Sequence, residues 1–401
     1  KGPMTNLKIA RFGDRNSTTQ VTRIEGFGST ELYICARPKQ NGGRFDDQAL
    51  SMYENLFQVL SEHGAGPRNV ITEKVFFSDV DRQFLDLGKI RKDWYNHTIH
   101  TTEYLPATIF LHQPPCHPGR LCELQVYVLF PSGNDEINVR TLDRTPGLAS
   151  GKVVEHRGLR HLYLTNLTGG EDTDNLSFSE QTEDMFARAE TLLRREGLSF
   201  PDVIRTWIYV NNMERDYDDL NRVRSKFFQE HGVGRLPAST GIQGATYPRE
   251  RGCAMDLYTL VGDPSLEIEV MHATTMHEAC EYGSSFSRGM KVVREDRTVL
   301  YISGTASIDT EGTVLHVGDI EGQVHRMLLN VEELLEAQNA TPDDLISVIT
   351  YLKEPEFLAP FYQVYEERSF PQDAPNTVSV ADVCRPDWLC EIEAIAVLPR
   401  R

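Results

Sequence analysis

Leu32-Tyr33-Ile34, Leu162-Tyr163-Leu164 and Leu300-Tyr301-Ile302 repeat one strand-like pattern along a chain of 401 residues. Each is followed by a turn-rich stretch and then by a glutamine, Gln48, Gln181 or Gln323, near which apolar residues begin to recur at helical spacing. They are Leu50, Tyr53, Phe57 and Leu60 in the first copy, Met185, Ala189 and Leu192 in the second, and Met327, Val331, Leu334 and Leu335 in the third. Sixteen positions after each glutamine stands Gly64, Gly197 or Asn339, a residue type that tolerates the left-handed backbone ending a helix. Pro67, Pro201 and Pro342 follow soon after.

The pattern continues with a β-branched and aromatic run: Val75-Phe76-Phe77, Trp207 to Val210, and Val348 to Leu352. A second amphipathic helix is expected next, on Phe84, Leu87 and Ile90, on Leu220, Val223 and Phe227, and on Phe357, Phe361 and Tyr365. Each copy closes with a strand carrying an acid: Glu123, Asp256 and Glu391. These three acids are taken as equivalent positions of the repeat. The fold class is α+β, built from three tandem β-α-β-α-β units over residues 1–150, 151–270 and 271–401. The polar stretches Pro131 to Gly151 and Gly262 to Glu281 join them. Three equal units predict an intramolecular pseudo-trimer, whose neighbouring sheets cover each other's faces, and hence a monomer.

Composition narrows the function classes. Forty-one Lys and Arg against 59 Asp and Glu give a net charge of −18, which repels phosphate backbones, so no nucleic-acid partner is expected. No apolar run is long enough to span a bilayer, and Lys1-Gly2-Pro3-Met4 has no apolar segment of a secretory signal. Met4 reads as the natural start. Seven cysteines without a Cys-x-x-Cys pair predict neither a disulfide framework nor a structural zinc site, and point to the cytoplasm. No His-Glu-x-x-His, phosphate loop or dinucleotide fingerprint is present, so no metal and no cofactor are expected.

The unit resembles the Rid (reactive intermediate deaminase, or YjgF) family through Leu389 to Val397, Leu121 to Val128 and Leu236 to Ile242. In that family an arginine two residues after a proline grips the substrate carboxylate for imine hydrolysis; here those positions are Thr108, Ser239 and Thr377. Residues 200 to 401 are also similar to the chorismatases, a branch with fused Rid-like domains. The similarity rests on Arg205 to Val210, Leu236 to Ile242, Tyr282-Gly283 with Phe286-Ser287-Arg288, Leu300 to Ala306, Gly318 to Gln323, and Asp382 to Glu391. It implies that Glu391 is the general acid and that the substrate is a small carboxylate such as chorismate. Cys384, seven residues earlier, with Gly304 marks the members making 3-hydroxybenzoate, a reaction of secondary metabolism. Arg224, Tyr282, Arg288, Ser303 and Gly304 are the implied substrate-binding residues, between the second and third units. Of the two arginines that one helix of the family carries, this chain retains Arg224; Phe228-Gln229-Glu230 stands near the other.

The residues themselves leave alternatives open. Glu391, flanked by Leu389, Cys390 and Ile392 with Glu393 on the same strand face, has the surroundings that raise a carboxylic pKa. Arg385 beside Cys384 could favour a thiolate. A Rid-type hydrolase of a small imine or enamine, and a non-catalytic metabolite-binding or scaffold protein, are the competing readings.

Overall fold

The computed structural model describes residues 7–99, 105–142, 150–170, 175–272, 274–276 and 285–400. Met4, Tyr282, and the segment from 277 to 284 lie outside them. The first unit runs β1 (Lys8–Phe12), β2 (Thr19–Gly26), β3 (Ser29–Ala36), α1 (Phe45–Glu62), β4 (Val70–Phe77), α2 (Val80–Ile99), β5 (Ala107–His112) and β6 (Cys122–Pro131). The second repeats it as β7 (Asn138–Thr141), β8 (Ser150–His156), β9 (Leu159–Thr168), α3 (Phe178–Arg195), β10 (Val203–Val210), α4 (Met213–Glu230), β11 (Ala238–Gln243) and β12 (Cys253–Val261). The third comprises β13 (Glu267–Met271), β14 (Gly289–Val293), β15 (Arg297–Thr305), α5 (Ile320–Glu336), β16 (Leu345–Leu352), α6 (Leu358–Glu367), β17 (Asn376–Val380) and β18 (Cys390–Pro399).

Each unit is a six-stranded mixed sheet, in the order β1-β2-β3-β6-β4-β5 for the first and the matching order in the others. One edge pair in each is parallel, β4 with β5, β10 with β11 and β16 with β17, because a helix crosses over between them. The β-α-β-α-β pattern is therefore the centre of a larger unit. The leading hairpin and the short parallel edge strand lie beyond it; β1 is mostly exposed and carries no continuous apolar signal. Strand β7 pairs with β8, and β13 with β14, so the second and third sheets begin at Asn138 and Glu267, ahead of residues 151 and 271.

The repeated glutamines have one mechanical role. Gln323 Nε2 donates to His316 O at 3.2 Å and Asp387 O at 2.8 Å, while its Oε1 accepts from Leu389 N at 2.8 Å. Gln48 holds Gly42, Gly119 and Leu121 in the same way, and Gln181 holds Leu176 and Gly252. The first turn of each long helix is thereby tied to the entry of the last strand, satisfying buried backbone groups. The helices stop where expected, with Gly64, Gly197 and Asn339 at φ of 78°, 69° and 57°. Each proline follows in a short 3₁₀ turn: Pro67–Asn69, Phe200–Asp202 and Pro342–Asp344.

Each helix pair covers one sheet face with its own apolar core. The opposite faces meet in a shared core containing Ile24, Leu159, Ile204, Tyr258, Met290, Val299, Ile346 and Val397, drawn from all three units. The edges join in a ring: β5 packs on β9, β11 on β15 and β17 on β6. Thr108 N donates to Ser150 Oγ and Ser239 N to Ser303 Oγ, both at 2.9 Å; the third junction uses Gln20 Nε2 on Ala374 O at 3.0 Å. No helix among the described residues is long and apolar enough to cross a membrane. Since the ring closes within one chain, light scattering should return the mass of a single chain; a trimer of chains would contradict this closure.

Candidate active site

Strand register decides which acids are equivalent. Glu391 lies opposite Tyr351 and Glu393 opposite Ile349. In the second unit Ala254 lies opposite Tyr209, and Asp256 opposite Trp207. In the first, Glu123 is opposite Phe76 and Gln125 opposite Lys74. The glutamine clamps on Leu389, Gly252 and Leu121 agree, since each stands two residues before Glu391, Ala254 and Glu123. Asp256 is thus the counterpart of Glu393, not of Glu391, which corrects the assignment from residue counting. Loops of different length made the count coincide.

Glu391 faces a cleft between the second and third units, bounded by Tyr217, Leu220, Arg224, Ser239 and Gly241 on one side and by Phe286, Arg288, Gly304, Cys384, Trp388 and Glu391 on the other. Helix α4 supplies Tyr217, Leu220 and Arg224 at spacings of three and four, which place them on one helix face. That periodicity was available in the sequence and identifies Tyr217, which the motif comparison did not single out. The cleft measures about 20 Å³, the room of one water. Phe286 in its wall is half-buried, with the Arg224 and Arg288 guanidinium groups 5.6 and 5.7 Å from its ring centroid.

The Glu391 carboxyl is 4% exposed, and its pKa is pushed up to about 8. Burial is the leading cause and the neighbouring Glu393 adds to it, while Arg288 and Arg205 pull the other way. The acid therefore retains its proton near neutral pH. Room for it comes from a β-bulge: the pairing of β15 with β18 shifts between Ile302 and Thr305. A Cβ on Gly304 would stand 2.0 Å from Glu391 Oε1. Gly304 N donates to Thr240 Oγ1 at 3.1 Å, which fixes the bulge against the second unit.

Other expected site residues fall differently. Ser303 does not line the cleft; its hydroxyl donates to Ser287 O at 2.6 Å and accepts from Ser239 N at 2.9 Å, so it joins the two walls. Cys384 does line it, but the expectation of a thiolate is corrected. Burial first, and then Glu391, push its thiol up to about 12, outweighing a hydrogen bond with Tyr217 and the charge of Arg385. Arg385 donates to Gly312 O at 2.6 Å and lies over the Trp388 ring, 4.9 Å from its centroid. Trp388 in turn donates from Nε1 to Ser307 O at 2.8 Å, holding the cleft floor.

The two other junctions differ at the acid. Glu123 accepts from Arg37 Nε at 3.0 Å and from Arg120 Nη1 at 2.9 Å. Burial alone would raise its pKa, yet the two arginines overcome it and hold the carboxyl at about 2. By strand register Arg37 takes the place of Ala306 in the third unit. The remaining junction has Ala254 in place of an acid. Gly304→Ala should expel the Glu391 carboxyl from its niche and cost about 1–3 kcal/mol by overpacking. Urea unfolding with a crystal structure of the variant checks this, and an unmoved carboxyl with unchanged stability would refute it.

Comparison with known proteins agrees with this geometry. The family model described as Endoribonuclease L-PSP matches residues 164–257 and 279–398. A RutC family protein of Pyrococcus horikoshii is 38% identical over 98 residues, which cover 24% of this chain and 77% of that protein. The 3-hydroxybenzoate synthase of Streptomyces hygroscopicus is 25% identical over 246 residues, 55% of this chain and 70% of the synthase. A crystal structure of a chorismatase superposes with a TM-score of 0.61 at 17% identity, covering 91% of this chain and 98% of the other. Its likeness extends over the three-unit ring. The family-model match, over more than half of this chain, makes it a member of the Endoribonuclease L-PSP, or Rid, superfamily, with a fold like that of the chorismatase.

Proposed function

We propose that the chain is an enzyme that removes the enolpyruvyl group of chorismate, or of a similar carboxylate, to give pyruvate and 3-hydroxybenzoate. The observation that carries this reading is a buried carboxyl with a pKa of about 8, placed in a cleft that also holds Arg224 and Arg288. Both guanidinium groups suit bidentate binding of carboxylates. Glu391 gives its proton to the enolpyruvyl methylene carbon, leaving an oxocarbenium carbon beside the ether oxygen. The bond between the ring carbon and the ether oxygen then breaks, so pyruvate departs with that oxygen as its ketone. The neighbouring ring hydroxyl oxygen bridges to the vacated carbon, and loss of a ring hydrogen as a proton to the Glu391 carboxylate restores the acid and leaves the aromatic 3-hydroxybenzoate. Chorismate is the sum of pyruvate and 3-hydroxybenzoate, so this route consumes no water.

Cys384 acts in this scheme as a neutral thiol that shapes the ring site and excludes water, because its pKa of about 12 leaves it protonated. Gly304 serves Glu391, whose carboxyl occupies the space that the missing Cβ leaves. The similarity to the 3-hydroxybenzoate synthase of Streptomyces hygroscopicus supports the aromatic product. Net charge of −18 disfavours RNA as substrate. Localisation to the cytoplasm belongs to the same proposal.

Pyruvate assayed after incubation with chorismate tests the reading. Glu391→Gln keeps the shape but cannot donate the proton, and should lower turnover about 10²- to 10⁴-fold. Because the acid's pKa is raised from 4.5 to about 8, kcat/KM should hold through neutrality and fall as the pH rises through about 8. A pH profile without that limb, or an active Gln variant, would remove Glu391 from the role. If the wild-type protein releases no pyruvate, the imine-hydrolase and binding-protein readings take precedence.

Cys384→Ala separates protonation from product choice. It should still release pyruvate while the ring product shifts from 3-hydroxybenzoate toward the non-aromatic diol formed by water attack. Chromatography of the products decides it, and an unchanged product ratio would reduce Cys384 to packing.

A further inference from the structure

A second cavity, of about 110 Å³, lies where the inner faces of all three sheets meet. It is distinct from the Glu391 cleft, with which it shares no lining residue. Part of its wall is aromatic: Tyr163 and Tyr258 are stacked with centroids 4.8 Å apart, and Tyr301 lies 5.6 Å from Tyr258. Another part is Trp207, whose ring centroid is 4.1 Å from Lys74 Nζ and 4.7 Å from the Arg205 guanidinium carbon. Trp207, Lys74 and Ile349 are equivalent positions of the three units, so the cavity sits on the pseudo-threefold axis with three different side chains around it.

Three acids line the cavity, and Glu73 is held through Oε2 by Arg91 and Thr108 while its Oε1 has no partner among the described residues. Glu393 accepts from Trp207 Nε1 at 2.8 Å and from Arg205 Nη2 at 3.0 Å, and Asp256 accepts from Asn166 N at 2.9 Å and from Lys74 Nζ at 3.3 Å. Lys74 Nζ also donates to Tyr209 Oη at 2.6 Å. Beside that Glu73 acceptor, one strong donor on the opposite part of the lining is also unpartnered. Arg205 is 2% exposed, and its Nη1 has no hydrogen-bond partner among the described residues. A buried guanidinium N–H left without an acceptor is costly, and such orphans call for a partner not supplied by the protein.

The acceptor that best fits is anionic, and the flat aromatic walls favour a planar apolar body attached to it. Size sets the limit: an apolar cavity of about 150 Å³ accepts benzene, so this smaller one suits about six non-hydrogen atoms or fewer. We propose that the axial cavity binds a small planar monocarboxylate, with Arg205 Nη1 donating to the carboxylate and the aromatic walls holding its body. Lys74, paired with Asp256 at 3.3 Å, adds a second cationic group to the lining. The inference does not rest on the reaction assigned to Glu391, although Arg205 and Glu393 also act on that carboxyl.

Crotonate, planar and of six non-hydrogen atoms, is the probe, and calorimetric titration of the full chain is the measurement. One crotonate should bind per chain. Crotonamide, the neutral isostere, should bind at least about tenfold more weakly, as expected on losing a charge-assisted hydrogen bond. Arg205→Met should weaken crotonate by a similar factor. Because that change strands Glu393 and can compromise folding, Ile349→Phe is the second variant: it fills the cavity while leaving the Arg205–Glu393 pair in place, and should abolish binding with the thermal transition retained. Arg224→Met, which alters only the Glu391 cleft, should leave the titration unchanged. The proposal is overturned if millimolar crotonate gives no binding, if crotonamide binds equally well, or if binding survives Ile349→Phe and disappears in Arg224→Met.

Discussion

The central strands of each sheet in this molecule are buried on both faces, and the two helices cover only one. Strand β16 is buried at every position and β12 at all but its last, which leaves no face for water. The uncovered face must be buried against something, and the neighbouring units of the same chain provide it. Ring closure, the shared inner core and the clefts between units all follow from that need. A cleft between units is consequently lined by α4 and β11 of one unit and by β15 and β18 of the next, and no single unit contains a whole site.

Burial by itself raises a carboxylic pKa, and the three junctions differ in how they answer it. Glu391 and Glu123 occupy the same register position on equivalent strands, in similarly apolar surroundings. Arg37 and Arg120 turn Glu123 into a permanently ionised partner at about 2. Near Glu391 the charges of Arg288 and Arg205 do not overcome burial and Glu393, and the carboxyl keeps its proton to about 8. Arg37 replaces Ala306, and the bulge that contains Gly304 has no counterpart in the unshifted pairing of β3 with β6. Two arginines, Arg37 in place of Ala306 and Arg120 in place of Trp388, together with one inserted residue, therefore separate a structural ion pair from a proton donor. The second junction has lost the acid altogether and keeps Asp256 two residues further on, facing the axis instead.

The chemistry of the cleft also shows why residue type alone misleads. Arg385 follows Cys384 in the chain, yet its charge is spent on Gly312 and the face of Trp388, so adjacency does not make a thiolate. Ser303 sits beside Gly304, but strand alternation sends its hydroxyl into the junction between β11 and β15. Both outcomes depend on where a side chain points across a sheet or a turn, which short-range sequence does not encode.

What the sequence by itself determined was the repeat: three apolar strands, amphipathic helices begun near glutamines and ended by Gly64, Gly197 and Asn339, and acid-bearing closing strands. These are local patterns, set by helical and strand periodicity and by which residues accept positive φ, so they are readable without knowing what lies across the molecule. The leading hairpins and parallel edge strands were not readable, because short edge strands carry little apolar periodicity and gain their pairing from the sheet they join. Glu391 was legible as a buried acid, and Tyr217 was implicit in the face of α4. Tertiary structure alone decided that Asp256 matches Glu393, that Gly304 makes space for a carboxyl, and that Arg37 silences Glu123. Each of these turns on strand register and on contacts between residues distant in the chain, and register is settled only when the apolar faces of all three sheets are buried together.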